Sequence, residues 1–133
     1  MIGLDTNILV RYIVQDDVAQ AAAATRLIER DCKPDNPGWV DVVVLCELVW
    51  VLESAYDYKR ATVAEVLRTV LTSAELRVET PELARAALRA YRNGSADYAD
   101  CLIGLRNQQA GCDVTCTFDK RAGQMASHRL VKA

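Results

Sequence analysis

The alternation of hydrophobic and polar positions along the 133-residue chain predicts a series of helices separated by short strands. Several segments repeat an apolar residue every three or four positions, which is the spacing of a helix with one buried face. Others carry end signals, such as Pro81 in a first turn and Gly94 or Gly111 after a last turn. These signals predict six helices, over residues 8–15, 16–31, 43–56, 59–73, 81–93 and 96–111.

Short apolar or β-branched stretches between these helices predict strands at 1–5, 39–43, 75–80, 113–119 and 129–133. Strands that alternate with helices favour a parallel sheet with helices on both faces. We therefore expect an α/β fold, a three-layer α/β/α sandwich around a central, mainly parallel β-sheet. The length suits a single domain over residues 1–133. In such folds, the functional crevice lies beyond the carboxyl ends of the strands.

The stretch VVVLCELVWVL, residues 42–52, is apolar at ten of eleven positions, and the exception is Glu47. We expect this helix to be largely buried, with Trp50 in the core. Carboxylates are rarely buried without a partner, because they lose their hydration. Glu47 is therefore either a metal ligand or a buried acid that is protonated or salt-bridged.

Four further acids stand at the ends of elements. Asp5 and Asp119 each end a predicted strand, so parallel strands would bring both to one edge of the sheet. Each could instead be an N-cap of the next helix. Asp97 and Asp100 fall in the first turn of the last helix, where a capping arrangement explains Asp97 better than Asp100.

A cluster of like charges is costly unless a cation relieves the repulsion. We expect Asp5, Glu47, Asp100 and Asp119 to form such a cluster, and an all-oxygen shell suits Mg²⁺ or Mn²⁺. The acids would then be both catalytic residues and metal ligands.

Composition bears on three further questions: how the chain could contact nucleic acid, where in the cell it acts, and the state of its cysteines. The net charge of −2 gives no basic field, so any nucleic-acid contact must be a local patch. We expect a cytoplasmic protein, because no apolar run is long enough for a membrane span and no signal peptide is visible. The odd number of cysteines favours reduced, mostly buried thiols; these are Cys32, Cys46, Cys101, Cys112 and Cys116. The single histidine, His128, is expected at the surface.

Four stretches, DTNILVRYIVQDD, LCELVWVL, ADYADCLIG and TFDKRA, occur in the order and spacing of a known family. In them, the chain resembles PIN-domain ribonucleases, and most closely the VapC-type toxins of prokaryotic toxin–antitoxin pairs. The family's acids fall on Asp5, Glu47, Asp100 and Asp119. Asn7, Asp97 and Thr117 match supporting positions. One departure is Asp41, which stands where the family often has a small hydroxyl residue.

The resemblance implies a PIN fold and metal-dependent hydrolysis of RNA that leaves a 5′-phosphate and a 3′-hydroxyl. It also implies a cognate antitoxin whose C-terminal segment covers the acidic groove, and a homodimer. Arg11, Lys120 and Arg121 follow the acids closely and are candidate phosphate contacts, although each could be an ordinary solvated charge. A catalytically silent PIN fold that binds RNA or protein remains the alternative. An aspartyl-phosphate phosphatase is disfavoured, since Asn7 stands where its second acid is required.

Overall fold

Contacts within the computed structural model, which describes residues 1–133, divide the chain into two units, Met1–Pro81 and Glu82–Ala133. The strands of the first unit are β1 (Ile2–Gly3), β2 (Gly38–Val40) and β3 (Leu76–Val78). Its helices are α1 (Thr6–Val14), α2 (Val18–Arg26), α3 (Val42–Ser54) and α4 (Arg60–Thr72), and a π-helical turn (Leu27–Asp31) extends α2.

The first unit is built on a parallel sheet of order β1–β2–β3, in which Gly38 pairs with both Ile2 and Leu76. A Cβ atom on Gly38 would lie 2.7 Å from the Leu4 Cδ1 atom, so any larger residue at this point of the sheet would require the neighbouring side chains to shift. Apolar residues of the helices form the core beside it, including Leu9, Leu45, Leu48, Val63 and Leu67.

Side-chain caps mark the starts of α2 and α3 in this unit. Asp17 accepts a hydrogen bond from the Gln20 N–H at the start of α2 (2.9 Å). At the start of α3, Asp41 accepts one from the Val44 N–H (2.8 Å), and Glu79 accepts one from the Val42 N–H (3.0 Å). Asp41, the departure from the family pattern, therefore caps α3, a role that a hydroxyl residue can also fill.

The second unit contains α5 (Pro81–Asn93), α6 (Tyr98–Gln109), a 3₁₀ turn (Ala122–Gln124) and the parallel strands β4 (Thr115–Thr117) and β5 (His128–Leu130). Tyr91 and Tyr98 pack edge to face, with ring centroids 6.0 Å apart. The Tyr98 hydroxyl donates to the backbone carbonyl of Ala84 (3.1 Å), which ties α6 to α5.

His128 is buried, so the expectation that it lies at the surface is wrong. Its ring packs against α6 where Gly104 leaves room, because a Cβ on that glycine would lie 2.6 Å from the His128 Cε1 atom. The His128 Nδ1 atom is hydrogen-bonded to the Ser127 hydroxyl (2.8 Å). Pairing of β5 with β4 draws the residue inward, which a five-residue stretch at the end of the chain does not reveal.

All six predicted helices and five predicted strands are present, and the strand pairs are parallel, so the predicted α/β class is confirmed. The single domain stays a prediction. No helix is both long enough and apolar enough to span a bilayer. All five cysteines are free; two are buried (Cys32 and Cys101), one is half-buried (Cys46) and two are exposed (Cys112 and Cys116), so "mostly buried" was too strong.

Candidate active site

Two of the predicted acids of the first unit converge on one residue, Thr6. The Thr6 N–H donates to Asp5 Oδ1 (2.7 Å), which makes Asp5 the N-cap of α1. The Thr6 hydroxyl donates to Glu47 Oε1, also at 2.7 Å, across 41 positions of sequence. Each carboxylate thus has one oxygen held by Thr6, and its other oxygen has no hydrogen bond. Two oriented carboxylate oxygens are therefore available to a cation.

These acids face an open cavity of about 390 Å³ within the first unit. Its lining is contributed mainly by α1 and by α3 with the loop that follows it, and it includes Asp5, Thr6, Asn7, Arg11, Glu47 and Tyr56. Asn7, predicted as a supporting residue, is exposed here and makes no side-chain hydrogen bond. The cavity lining combines two carboxylates, which can bind a metal ion, with one guanidinium group, which can bind a phosphate oxygen.

Glu47 is exposed, so the expectation that it is a buried charge is wrong. The same holds for Trp50, which is 70% exposed rather than in the core. Val43, Glu47 and Trp50 follow one another at helical spacing and form the outer face of α3, whose other sides are buried. What sets Glu47 apart is therefore its hydrogen bond to Thr6 and its place in the cavity, not desolvation.

The second unit holds Asp97, Asp100 and Asp119. Burial raises the pKa of the half-buried Asp100 above its usual value, and the negative charges of Asp97 and Asp119 raise it further. The charges of His128 and Arg121 act in the opposite direction. Asp100 makes no hydrogen bond or ion pair, so nothing compensates for the burial and the repulsion that disfavour its negative charge. A bound cation would stabilise that charge.

The other two acids of this unit differ in how they are held. Asp119 Oδ1 accepts from the Ala122 N–H (2.9 Å), and the Asp119 N–H donates to the Thr117 hydroxyl (3.0 Å). The capping alternative for Asp119 is thus correct, and its second oxygen is free. Asp97 occupies the N-cap position of α6, but its side chain makes no capping bond. The capping explanation of Asp97 is therefore right about its position and wrong about the side-chain hydrogen bond.

The three predicted phosphate contacts are placed differently. Arg11 is held by hydrogen bonds in the cavity of Asp5 and Glu47, with Nη1 3.3 Å from Asp16 Oδ1. Lys120 and Arg121 are exposed beside Asp119, and they make no ion pair. Lys120 and Arg121 are therefore freely accessible cations, whereas Arg11 is half-buried and held in place.

The donor chemistry fits a hard divalent cation, because every candidate ligand is a carboxylate oxygen. The structure contains no group of three or more His, Cys, Asp or Glu side chains arranged to hold a metal ion. Mg²⁺ commonly binds through one or two carboxylates together with waters and substrate phosphates. The pair of oriented oxygens in the first unit fits that mode of binding.

Sequence reasoning missed Thr6, Asp16 and Tyr56 as contributors to the site. The sequence contained a signal for Thr6, which is a hydroxyl residue between Asp5 and Asn7 at the start of a helix. It contained no signal for Asp16 and Tyr56, because the hydrogen bond from the Tyr56 hydroxyl to Asp16 (2.8 Å) spans 40 positions of sequence.

Comparison with known proteins agrees with this architecture. The family model described as PIN domain matches residues 2–127, and the chain belongs to this family. The predicted PIN fold is therefore confirmed. The chain is similar to a VapC ribonuclease of Aquifex aeolicus (strain VF5), with 25% identity over 118 residues, which cover 89% of this chain and 87% of that protein. No solved structure matches the chain at a significant level.

Proposed function

We propose that the chain is a divalent-metal-dependent endoribonuclease that hydrolyses RNA phosphodiester bonds. The observation that carries the proposal is the convergence of Asp5 and Glu47 on Thr6, which holds one oxygen of each acid while both acids line the same cavity. Membership of the PIN family and similarity to a protein named as a ribonuclease support the same reaction.

In this proposal, Asp5, Glu47, Asp100 and Asp119 are the catalytic acids and the metal ligands. Mg²⁺ or Mn²⁺, when bound, supplies an activated water and stabilises the charge that develops on the phosphate and the leaving oxygen. Thr6 orients Glu47, and Thr117 fixes the backbone of Asp119. Asn7 and Asp97 stand beside these acids as supporting residues. No histidine is assigned as a general base, since the only one is buried and bonded to Ser127.

We further propose that the protein is the toxin of a type II toxin–antitoxin pair and acts in the cytoplasm, inhibited by its cognate antitoxin. Lys120 and Arg121 would contact RNA phosphates beside Asp119. A homodimer would contact Trp50, the more exposed of the two large apolar side chains on the outer face of α3, without covering Glu47. The resemblance to VapC-type toxins supports the toxin role, the antitoxin and the homodimer, whereas Lys120 and Arg121 are proposed because they follow Asp119 directly in sequence.

The alternative, a catalytically silent PIN fold that binds RNA or protein, draws support from one observation: no group of three metal-ligating side chains is assembled. The raised pKa of Asp100 argues against it, because burial and neighbouring charges disfavour its ionised form where no cation is bound.

The test is cleavage of a structured RNA pool by the purified chain with Mg²⁺ or Mn²⁺, alongside calorimetric titration of Mn²⁺. We expect cleavage that EDTA abolishes and that a Glu47→Gln variant loses by at least about 100-fold, since it removes one charged ligand. Glu82→Gln, which removes an exposed acid from the first turn of α5, is the matched control. A folded wild-type chain that neither binds Mn²⁺ nor cleaves would establish the silent module instead.

A further inference from the structure

Arg11 lies in the cavity of Asp5 and Glu47, and three partners hold its guanidinium group. The Nε atom donates to the Gln20 side chain (2.7 Å), and Nη1 donates both to Asp16 (3.3 Å) and to the Tyr56 hydroxyl (3.0 Å). The partners come from α2, from the turn before it and from the loop after α3. Two nearby residues and one that is 45 positions away thus fix one side chain.

The network leaves one edge of the guanidinium open. An arginine has five N–H donors, and these three bonds use Nε and both hydrogens of Nη1. Nη2 keeps two N–H groups with no partner, so the side chain has a fixed orientation and an unused pair of donors. Fixed guanidinium donors suit an anionic oxygen, and phosphate oxygens accept them strongly.

Tyr56 is central to the network because its hydroxyl accepts from Arg11 and donates to Asp16 Oδ2 (2.8 Å). The hydrogen bond to Tyr56 is the main cause that raises the pKa of Arg11, followed by the charge of Asp16. The same hydroxyl lowers the pKa of Asp16. Both shifts favour the charged forms of Arg11 and Asp16, which are the forms that the network needs.

We propose that Arg11 binds an RNA phosphate next to the bond being cleaved through its Nη2 edge, and that Tyr56 and Asp16 are positioning residues that act through Arg11. The inference rests on the proposed function, because it takes RNA as the substrate of the cavity. The inference goes beyond the proposed function because it assigns a rigid phosphate clamp and names the residues that make the clamp rigid.

The experiment measures binding rather than cleavage. A fluorescent single-stranded RNA oligonucleotide is titrated with Glu47→Gln protein in Mg²⁺ at several salt concentrations, and anisotropy gives the dissociation constant. We expect Arg11→Gln to weaken binding about tenfold and to reduce the slope of log K against log salt by about one. Arg11→Lys keeps the charge but not the fork, so it should keep the slope and recover only part of the affinity.

Tyr56→Phe removes the hydroxyl but leaves the arginine charge in place. We expect about threefold weaker binding with an unchanged salt slope, and no further weakening when Tyr56→Phe is added to Arg11→Gln. Arg68→Gln and Tyr12→Phe are matched controls: Arg68 pairs with Glu65 on α4, Tyr12 contacts Glu29, and neither lines this cavity. Both should bind RNA as the parent does.

Three results would overturn the clamp: Arg11→Gln binding as tightly as Arg68→Gln, Tyr56→Phe weakening binding equally with and without Arg11, or no measurable RNA binding by the parent. A purely structural network would lower the melting temperature without changing the salt slope. Failure of the proposed function has a different signature. Wild type would then cleave nothing, yet binding that depends on Arg11 would still support the clamp.

Discussion

Thr6→Val tests whether one hydroxyl group positions Glu47. Valine has nearly the shape of threonine and keeps the backbone N–H that Asp5 accepts, so the change removes only the 2.7 Å bond from Thr6 to Glu47. Thr6 is buried and Glu47 is exposed. The freed carboxylate will therefore regain water, and the free energy of unfolding should fall by only about 1 kcal/mol.

The effect on metal binding should be larger than the effect on stability suggests. Glu47 has no other hydrogen bond, so the variant must order this side chain when a cation binds. Ordering a glutamate costs about 1–1.5 kcal/mol, which corresponds to roughly tenfold weaker binding. Loss of a group that orients a ligand typically weakens metal binding or activity by about 10- to 100-fold.

The assay is titration of Mn²⁺ by calorimetry together with RNA cleavage at saturating metal. Thr6→Ser is the control, because it keeps the hydroxyl, and its affinity should stay within about twofold of wild type. Thr6→Val with wild-type Mn²⁺ affinity, beside an inactive Glu47→Gln, would refute the positioning role. Loss in Thr6→Ser but not in Thr6→Val would point to the packing of the methyl group instead.

Three further predictions concern the remainder of the chain. Asp100→Asn should raise the melting temperature at pH 7 but not below about pH 4, because a raised carboxyl pKa lowers stability only as pH rises and the group ionises; equal gains at both pH values would contradict this. Gly104→Ala should lower the free energy of unfolding in urea by about 1–3 kcal/mol, since its Cβ would meet His128; a gain would show that the helix can shift. Trp50→Ala should shift a dimer to monomer in light scattering, and a wild-type monomer would remove this interface.

The sequence predicts the elements well because their signals are local. Pro81 opens α5 and Gly111 follows α6, as helix-end preferences require. The strand-end acids were also identifiable, since each comes directly after a short apolar or β-branched run. Such signals depend on a few neighbouring residues, which a single sequence contains in full.

The orientation of α3 was not predictable, because ten of eleven apolar positions leave no polar face by which to orient the helix. Which side of α3 faces outward depends on the elements that pack against its other sides. The exposed side carries Val43 and Trp50. The network of Arg11, Asp16 and Tyr56 was hidden for a related reason. Its bonds join residues up to 45 positions apart, so only the folded chain brings them together.

Asp5 and Asp119 are both proposed metal ligands and helix-capping residues, and this double role affects how a PIN protein that has lost its activity could be recognised from its sequence. Asp5 and Asp119 both accept a backbone N–H at the start of a helical segment, and replacing such a residue by alanine costs about 1 kcal/mol. A descendant that no longer cut RNA would still be under selection for folding to keep a capping side chain at both positions. Glu47 and Asp100 cap no helix, so they are the acids that such a descendant would be free to lose. Their joint presence is therefore the better sign of a working nuclease.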